Sequence, residues 1–509
     1  MANADIGLGN WFSRRTIQTP DRPALTFEGV TRSFAEMQDG IDRLASALKA
    51  AGLCRGDRIG FLGLNQPAFF DLLFAAARLG AIFVPLNYRL TGPELDYIIN
   101  DAGLHTLVVD GPHRPIIDGI RTALSCRLYL SADGAAPGWE PVSEFIGNAA
   151  PLPDGEPTAP DDIAVIMYTS GTTGRPKGVM LTHGNLWWAN VNAMLGGDFS
   201  EHDVSVVMAP LFHIGGMNTN ALVTWQKGGR VILHRSFDAA RFLADVARFR
   251  VTGTFAVPAM LLFISQHPDF AEADLSSLRL IVCGGAPAPE PLLRLYNKAG
   301  IPLSQGYGLT ETAPSGTYLG SDFALAKLGS AGRAAFFVDL RIVGEDGRTP
   351  LAAGERGEVI MRGPHIMRGY WNKPEATAAA IDPEGWFHTG DIGTLDDDGF
   401  LYICDRLKDM IISGGENIYP AEVETVLYAH PAIAEIAVLG QPCEKWGESV
   451  TAVAVLKPGY SLDLDELRGW ATERLARYKL PSRLELIAAL PRNPAGKVLK
   501  FELRDRFRP

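Results

Sequence analysis

Cysteine is scarce in this sequence. The 509 residues include five, Cys54, Cys126, Cys283, Cys404 and Cys443, which are scattered and never in C-x-x-C spacing. That argues against a disulfide framework or a zinc site and predicts a reducing compartment. An excess of positive charge is also lacking. There are 47 Lys and Arg against 58 Asp and Glu, a formal net charge of −11, so bulk electrostatics do not suggest nucleic acid as a partner. No long apolar run is uninterrupted: Pro67 to Leu86 carries Asp71 and Arg78 and reads as helix then strand rather than a membrane span. The start, Met-Ala-Asn-Ala-Asp-Ile, has no basic stretch followed by an apolar core, so no secretory leader is predicted. Short-period repeats and low-complexity tracts are missing as well. What is present is an ordinary globular balance, 47% hydrophobic and 21% charged. The expectation is a cytoplasmic protein without a transmembrane segment, with peripheral membrane contact left open.

A chain of this length exceeds one ordinary domain. Residues 57–64 read as a buried strand, Pro67 to Gly80 as a helix and Ala81 to Leu86 as a strand. A helix starts at Thr91-Gly-Pro-Glu, and His105 to Asp110 is another strand. Strands Ile163 to Met167, Val204 to Met208, Val231 to His234, Thr254 to Val257 and Leu278 to Cys283 continue the rhythm, with helices after Thr182 and through Arg250. Alternation of this kind predicts an α/β fold with parallel sheets covered by helices on both faces. Pro151 to Pro160 reads as a Pro-rich linker. From 332 to 404 short strands with turns at Glu345-Asp346-Gly347 and Asp397-Asp398-Gly399 predict an antiparallel β subdomain. An α+β pattern follows: helix Ala421 to Tyr428, strands Glu435 to Leu439 and Val450 to Leu456, helix Leu464 to Leu475. The expected domains are 1–407 and 408–509.

The densest chemical signal is Tyr168-Thr169-Ser170-Gly171-Thr172-Thr173-Gly174-Arg175-Pro176-Lys177-Gly178. Hydroxyls, glycines and a lysine after a buried strand suit a polyphosphate; the other reading is a surface turn. Gly178 follows Lys177, where a Walker A loop needs Ser or Thr. Gly284-Gly285-Ala286-Pro287 closes a strand, either as a tight turn or to admit a flat base. In Gln305 to Glu311, Tyr307 can stack on a purine, Thr310 can bond a phosphate, and Glu311 offers Mg2+ a hard oxygen. The alternative is a loop with a capping Thr and a solvated Glu. His388-Thr389-Gly390-Asp391 precedes a strand, where Asp391 can accept ribose hydroxyls and Arg406 can back it; turn and salt-bridge roles fit equally. His213 reads as a pocket residue or a packed core histidine. Lys497, after Pro491-Arg492-Asn493-Pro494-Ala495-Gly496, is either solvated or enters an anionic site. From Arg468 to Pro509 eleven Lys and Arg face four Asp and Glu, a basic tail or a solvated helix face.

In this order the motifs resemble the ANL superfamily of adenylate-forming enzymes, over nearly the whole chain. Asp405 to Pro420 looks especially like bacterial fatty-acyl-CoA and aryl-CoA synthetases, and the whole text is closest to actinobacterial fatty-acyl-CoA synthetases. The resemblance implies a large domain of two βα-type sheets plus the antiparallel β subdomain, followed by a mobile α+β C-terminal domain hinged at Lys408. It implies ATP, Mg2+ and coenzyme A as cofactor and co-substrates. Thr169, Ser170, Gly171, Thr172, Thr173, Gly174 and Lys177 would hold the phosphates, with Mg2+ near Thr169 and Glu311. Gly285, Ala286, Tyr307, Gly308 and Thr310 would surround the nucleotide, with Asp391 and Arg406 on the ribose. Lys497 would bring the catalytic cation, with Thr310, Glu311 and His213 completing the catalytic set. Ser413, Gly414, Gly415, Trp446 and Tyr478 would face CoA. His213, Met217, Asn218, Phe255, Val257, Ala286 and Gly308 would border the acid, and a homodimer is implied.

The leading expectation from the resemblance is therefore an acyl-CoA synthetase for a fatty acid; the bordering residues, mostly apolar and without Lys or Arg to pair a second carboxylate, favour a monocarboxylic fatty or aryl acid over malonate. The alternatives are an aryl-CoA ligase of benzoate or cinnamate type and an acyl-AMP ligase loading a carrier protein, although no carrier domain follows Lys497. A non-catalytic binding protein is disfavoured by the intact motifs. Luciferase-like oxidation, which also proceeds through an adenylate, has no feature arguing for it.

Overall fold

The computed structural model describes residues 5–169, 176–406, 409–413, 416–443, 447–472, 474–475, 477–492 and 498–508. The chain divides into two compact units. The first comprises Met1–Leu340, Met361–Phe387 and Gly399–Leu401, and the second Arg341–Ile360, His388–Asp398 and Tyr402–Pro509.

Two large sheets build the first unit, with strands counted among the described residues. One has nine strands, in the order Arg333–Ala334, Thr317–Leu319, Leu303–Tyr307, Leu280–Gly284, Gly253–Ala256, Val204–Val207, Arg230–Leu233, Pro23–Phe27 and Val30–Ser33. Its six strands from Leu303–Tyr307 to Pro23–Phe27 are parallel. The other has eight, in the order Gly369–Tyr370, Lys177–Thr182, Ile163–Thr169, Ile82–Leu86, Arg58–Leu62, Thr106–Val109, Leu128–Ser131 and Glu140–Pro141. From Ile163–Thr169 onward these are parallel. Ile82–Leu86 and Thr106–Val109 are buried along their whole length, which is why they read as continuous apolar runs rather than alternating ones. The expected rhythm of strand and helix is present. Leu303–Tyr307 was not anticipated as a strand, because its Ser, Gln and Gly residues hide it.

Local sequence also sets the helix starts. Thr182 caps His183–Gly196 by accepting from the Asn185 N–H, while Asn185 accepts from the Thr182 N–H. Glu94 accepts from the Thr91 N–H and hydroxyl at the start of Gly92–Ala102. A buried aromatic cluster joins Phe12, Phe70, Phe74 and Trp225, with Phe70 and Trp225 rings 4.6 Å apart. The Trp225 indole donates to the Ala24 carbonyl at 2.8 Å, satisfying the one polar atom that its burial would strand.

Asn65 ties the two sheets at the end where their parallel strands finish. Its amide donates to the Ala209 and His234 carbonyls, and its oxygen accepts from the Leu211 N–H, all at 3.0–3.1 Å. One side chain thus fixes the loop after Arg58–Leu62 against the loops after Val204–Val207 and Arg230–Leu233. In open α/β sheets this end is where ligands bind.

The second unit holds a sheet in the order Glu416–Ile418, Ile411–Ser413, Gly447–Leu456 and Ile433–Cys443, with Arg483–Leu486 parallel to Gly447–Leu456. Helices Pro420–Tyr428, Leu464–Thr472 and Lys500–Arg506 accompany it. Its core is Ile411, Val423, Leu427, Val438, Val450 and Leu467. This is the α+β pattern expected, with longer central strands. A further four-stranded sheet contains Asp339–Val343, Gly357–Arg362, Phe387–Leu395 and Leu401–Arg406. Within 332–404, however, Gly369–Tyr370 pairs instead with Lys177–Thr182. His388 to Asp391 corrects a second expectation. It lies inside the strand Phe387–Leu395 rather than before it, because apolar Phe387 already begins the pairing and only Gly390, at φ 69°, bends the chain. No helix among the described residues is long and apolar enough to cross a membrane.

Candidate active site

The strand Ile163–Thr169 runs into the hydroxyl- and glycine-rich loop and returns as Lys177–Thr182. Ser170, Gly171, Thr172, Thr173 and Gly174 lie outside the described residues, but the neck of the loop is defined. Thr169 pairs with Lys177 and Tyr168 with Gly178 across an antiparallel ladder. A hydroxyl and an ammonium therefore leave the sheet side by side. A Cβ at Gly178 would meet Ile166 Cγ2 at 2.7 Å, the Tyr168 ring at 3.1 Å and Trp371 Cβ at 3.3 Å. Glycine follows the lysine here because the backbone passes between two aromatic residues.

Asp101 braces this neck. Its carboxylate accepts from the Tyr168 hydroxyl at 2.6 Å and its carbonyl from the Trp371 indole at 3.0 Å. Burial, with Asp101 adding to it, pushes the Tyr168 phenol upward, so it stays a donor at working pH. Tyr97 donates to the Pro176 carbonyl at 3.4 Å.

Tyr307 ends the strand Leu303–Tyr307, and Thr310 and Glu311 form a 3-10 turn with Thr312. Gly308 lies between them. A Cβ on Gly308 would come 1.7 Å from the Pro314 carbonyl oxygen, so only glycine lets the turn fold back this closely. Buried Thr312 closes the turn, accepting from the Leu309 N–H at 2.9 Å. Glu311 points one carboxylate oxygen at the Tyr370 hydroxyl, which donates at 2.9 Å, and its carbonyl accepts from the Met367 N–H at 2.8 Å. Lys177 Nζ sits 4.9 Å from the centroid of the same Tyr370 ring, within cation–π range. Thr169, Lys177 and Glu311, expected on one ligand, thus converge on one corner. A hydroxyl, a carboxylate and a nearby ammonium fit a hard divalent cation carried by polyphosphate, which needs few protein oxygens.

Next to this corner lies the expected acid border. His213 precedes a helical run of Ile214–Gly216, a π-helical turn Met217–Leu222, and Val223–Lys227. π turns of this kind recur at functional sites. Met217 and Asn218 are buried, and the Asn218 amide donates to the Ala313 carbonyl at 2.7 Å. That bond joins the helical wall to the turn carrying Glu311. The ring of Phe255 packs against the bare Cα atoms of Gly215 and Gly284, so Phe255 and Gly284-Gly285 lie at one place in the sheet. Val257 approaches Gly285, and Gly285 and Ala286 are exposed.

His213 is half-buried. Its ring lies 4.3 Å from Phe212, and Nε2 is shielded with no hydrogen-bond partner among the described residues. Burial, helped by the Arg89 charge, pulls its pKa down to about 4. The imidazole is therefore neutral at physiological pH.

Other candidates belong to the second unit. Asp391 is buried, and its N–H donates to Thr389 Oγ1 at 3.0 Å. Glu358 accepts from the Gly390 N–H at 3.1 Å and bonds His388 at 2.8 Å, which fixes the kink. Arg406 ends the strand Leu401–Arg406, and Ser413 ends Ile411–Ser413. Tyr478 is 44% exposed in the turn Arg477–Lys479. Lys408, Gly414, Gly415, Trp446 and Lys497 lie outside the described residues.

Sequence reasoning missed Asn65, Asp101, Tyr370 and Trp371. The run Arg368-Gly369-Tyr370-Trp371 carried the one available signal, a glycine between large residues; its φ of 143° lets the chain join the loop strand.

Two family models match this chain: the AMP-binding enzyme over residues 12–371 and the AMP-binding enzyme C-terminal domain over 422–497. A feruloyl-CoA synthase from Amycolatopsis sp is 44% identical over 501 residues, covering 98% of this chain and 99% of the relative. The long-chain-fatty-acid–CoA ligase FadD13 of Mycobacterium tuberculosis is 40% identical over 481 residues, covering 94% and 93%. Among solved structures, Bacillus subtilis o-succinylbenzoate CoA synthetase in complex with ATP and magnesium ion superposes with a TM-score of 0.87 at 36% identity, covering 97% and 99%. Enzymes of this family use ATP, Mg2+ and coenzyme A. The chain belongs to the AMP-binding enzymes, in the acyl-CoA synthetase branch of the ANL superfamily, whose members are AMP-forming acid–thiol ligases.

Proposed function

We propose that this chain activates a monocarboxylic acid with an apolar tail as its acyl-adenylate and transfers the acyl group to coenzyme A. The observation that carries this reading is the convergence of Thr169, Lys177 and Glu311 at the neck of the phosphate loop, beside an acid border of Met217, Phe255 and Val257. In the first step a carboxylate oxygen attacks the ATP α-phosphorus and the bond to pyrophosphate breaks. In the second the CoA thiol attacks the acyl carbon and AMP leaves. Bound Mg2+ supplies charge neutralisation on the phosphates, with Glu311 and Thr169 as its protein oxygens. Lys177 and the loop residues Ser170 to Gly174 hold the β- and γ-phosphates. Tyr307 stacks on adenine beside Gly285, Ala286 and Gly308, Thr310 bonds the α-phosphate, and Asp391 and Arg406 hold the ribose.

Lys497 supplies the cation that meets the charge growing on the reacting oxygens. One well-placed donor of this kind is worth ~3–4 kcal/mol. The domain 408–509, hinged at Lys408, exchanges that lysine for Ser413, Gly414, Gly415, Trp446 and Tyr478 at the thiol step. Neutral His213 stands between acid and thiol.

A fatty acid is the first reading of the acid. An aryl acid is the second, favoured by the feruloyl-CoA synthase relative. ATP–pyrophosphate exchange and AMP release with CoA, measured across short, aryl and long-chain acids, separate the two. Turnover confined to aryl acids would overturn the fatty-acid reading, and no exchange with any acid would overturn the enzyme assignment. Lys497→Ala is expected to abolish adenylate formation while leaving thioester formation from supplied acyl-AMP largely intact. Loss of both half-reactions would contradict the role given to Lys497.

A further inference from the structure

We infer that Tyr370 is a positioning residue for adenylation, aiming the Glu311 carboxylate through its hydroxyl and seating the Lys177 ammonium on its ring. The inference rests on the reading of Glu311 as a metal ligand.

Three observations place Tyr370 between these groups. Its hydroxyl donates to Glu311 Oε1 at 2.9 Å. Its ring centroid is 4.9 Å from Lys177 Nζ. Its backbone lies in the ladder that leaves the phosphate loop: Tyr370 pairs with Val179, and Trp371 N–H donates to the Gly178 carbonyl at 2.7 Å. The residue cannot drift from the loop without breaking that ladder. Its own N–H is tied to Thr377 Oγ1 at 2.9 Å, and the side chain is 9% exposed.

The chemistry follows from these contacts. A carboxylate has two oxygens, and a ligand that rotates freely loses orientation at each encounter with a metal. Tyr370 occupies one oxygen of Glu311 with a donor and leaves the other direction set by geometry, as outer partners of metal ligands do. Lys177 gains a fixed seat on the ring face rather than a range of rotamers. One side chain therefore sets the separation between a cation that meets phosphate and an anion that meets metal.

The test uses the full chain with Mn2+ as the metal probe. Binding of Mn2+ in the presence of ATP is followed by electron paramagnetic resonance, and ATP binding in EDTA by calorimetry counts intact sites. Tyr370→Phe should weaken Mn2+ binding about 10- to 100-fold, the range for losing a partner of a metal ligand, and leave metal-free ATP binding unchanged. Glu311→Gln should weaken Mn2+ at least as much, and the double variant no further. Tyr370→Leu, which also removes the ring, should weaken ATP binding even without metal. Wild-type Mn2+ affinity in Tyr370→Phe, with Glu311→Gln impaired, would overturn the inference and leave the Glu311 reading standing. Additive losses in the double variant would also overturn it, since the two residues would then act independently. Wild-type affinity in Glu311→Gln would remove the metal-ligand reading and this inference with it. Equal metal-free ATP binding in Tyr370→Leu and Tyr370→Phe would refute the seat for Lys177.

Discussion

Two buried histidines, His183 and His365, and the half-buried His213 have their pKa pulled down to about 4 by desolvation. Each is neutral in the folded chain and takes up a proton when the chain unfolds below its ordinary value of 6.5. Their contribution to stability is therefore complete above about pH 6.5, falls as pH drops from there towards about 4, and levels off below. Both ring nitrogens of His365 lack a hydrogen-bond partner among the described residues. His365→Met should then leave stability at pH 7.5 within about 1.5 kcal/mol of the parent, as volume-conserving swaps do, and reduce the acid loss. Urea unfolding at several pH values checks this; an equally steep acid loss in the variant would clear His365 of the effect. Such behaviour is not legible in sequence. His213 could be singled out beside Gly215-Gly216, but its neutrality comes from desolvation, with Phe212 packed on its ring and the Arg89 charge adding to it, and His365 carried no motif at all.

At the level of single elements, the turn from Gly308 to Pro314 is the tightest constraint. Gly308→Ala would drive a methyl group into the Pro314 carbonyl, and the turn must move to accept it. Overpacking of this kind costs ~1–3 kcal/mol, and the displaced Glu311 should lower pyrophosphate exchange about 100-fold, as misplacements near 1 Å do. Thermal melting and exchange measured on the same preparation test it; a variant with normal exchange would show that the turn tolerates the shift. The loop at 168–178 was legible because its hydroxyls, glycines and lysine are consecutive. The Glu311–Tyr370 pair was not, because 59 residues separate its members and pairing over that distance leaves no periodic trace. Leu303–Tyr307 escaped for a different reason: its place as a strand is set by neighbours on both sides rather than by β-branched residues of its own.

For the whole molecule, the alternation of apolar strands and amphipathic helices was enough to predict parallel sheets, since each strand buried on both faces writes an uninterrupted apolar run. Their joint at Asn65 was hidden, because a single asparagine among apolar residues looks like any loop residue. The hinge assigned to Lys408 makes a prediction at this scale: Lys408→Pro should retain pyrophosphate exchange and lose CoA-dependent turnover. Normal thioester synthesis in that variant would contradict a rotating C-terminal domain. The π-helical turn Met217–Leu222 bears on how such a chain can diverge. A π turn holds about one residue more than an α turn, so loss of a single codon there would restore regular winding. Because the π turn already absorbs the extra residue, the helix on either side would keep its facing, and only the side chains within the turn, Met217 and Asn218 among them, would shift while the sheets stayed as they are. With Met217 and Asn218 bordering the acid, as proposed above, a change of preferred acid would need one deletion rather than a redesigned wall.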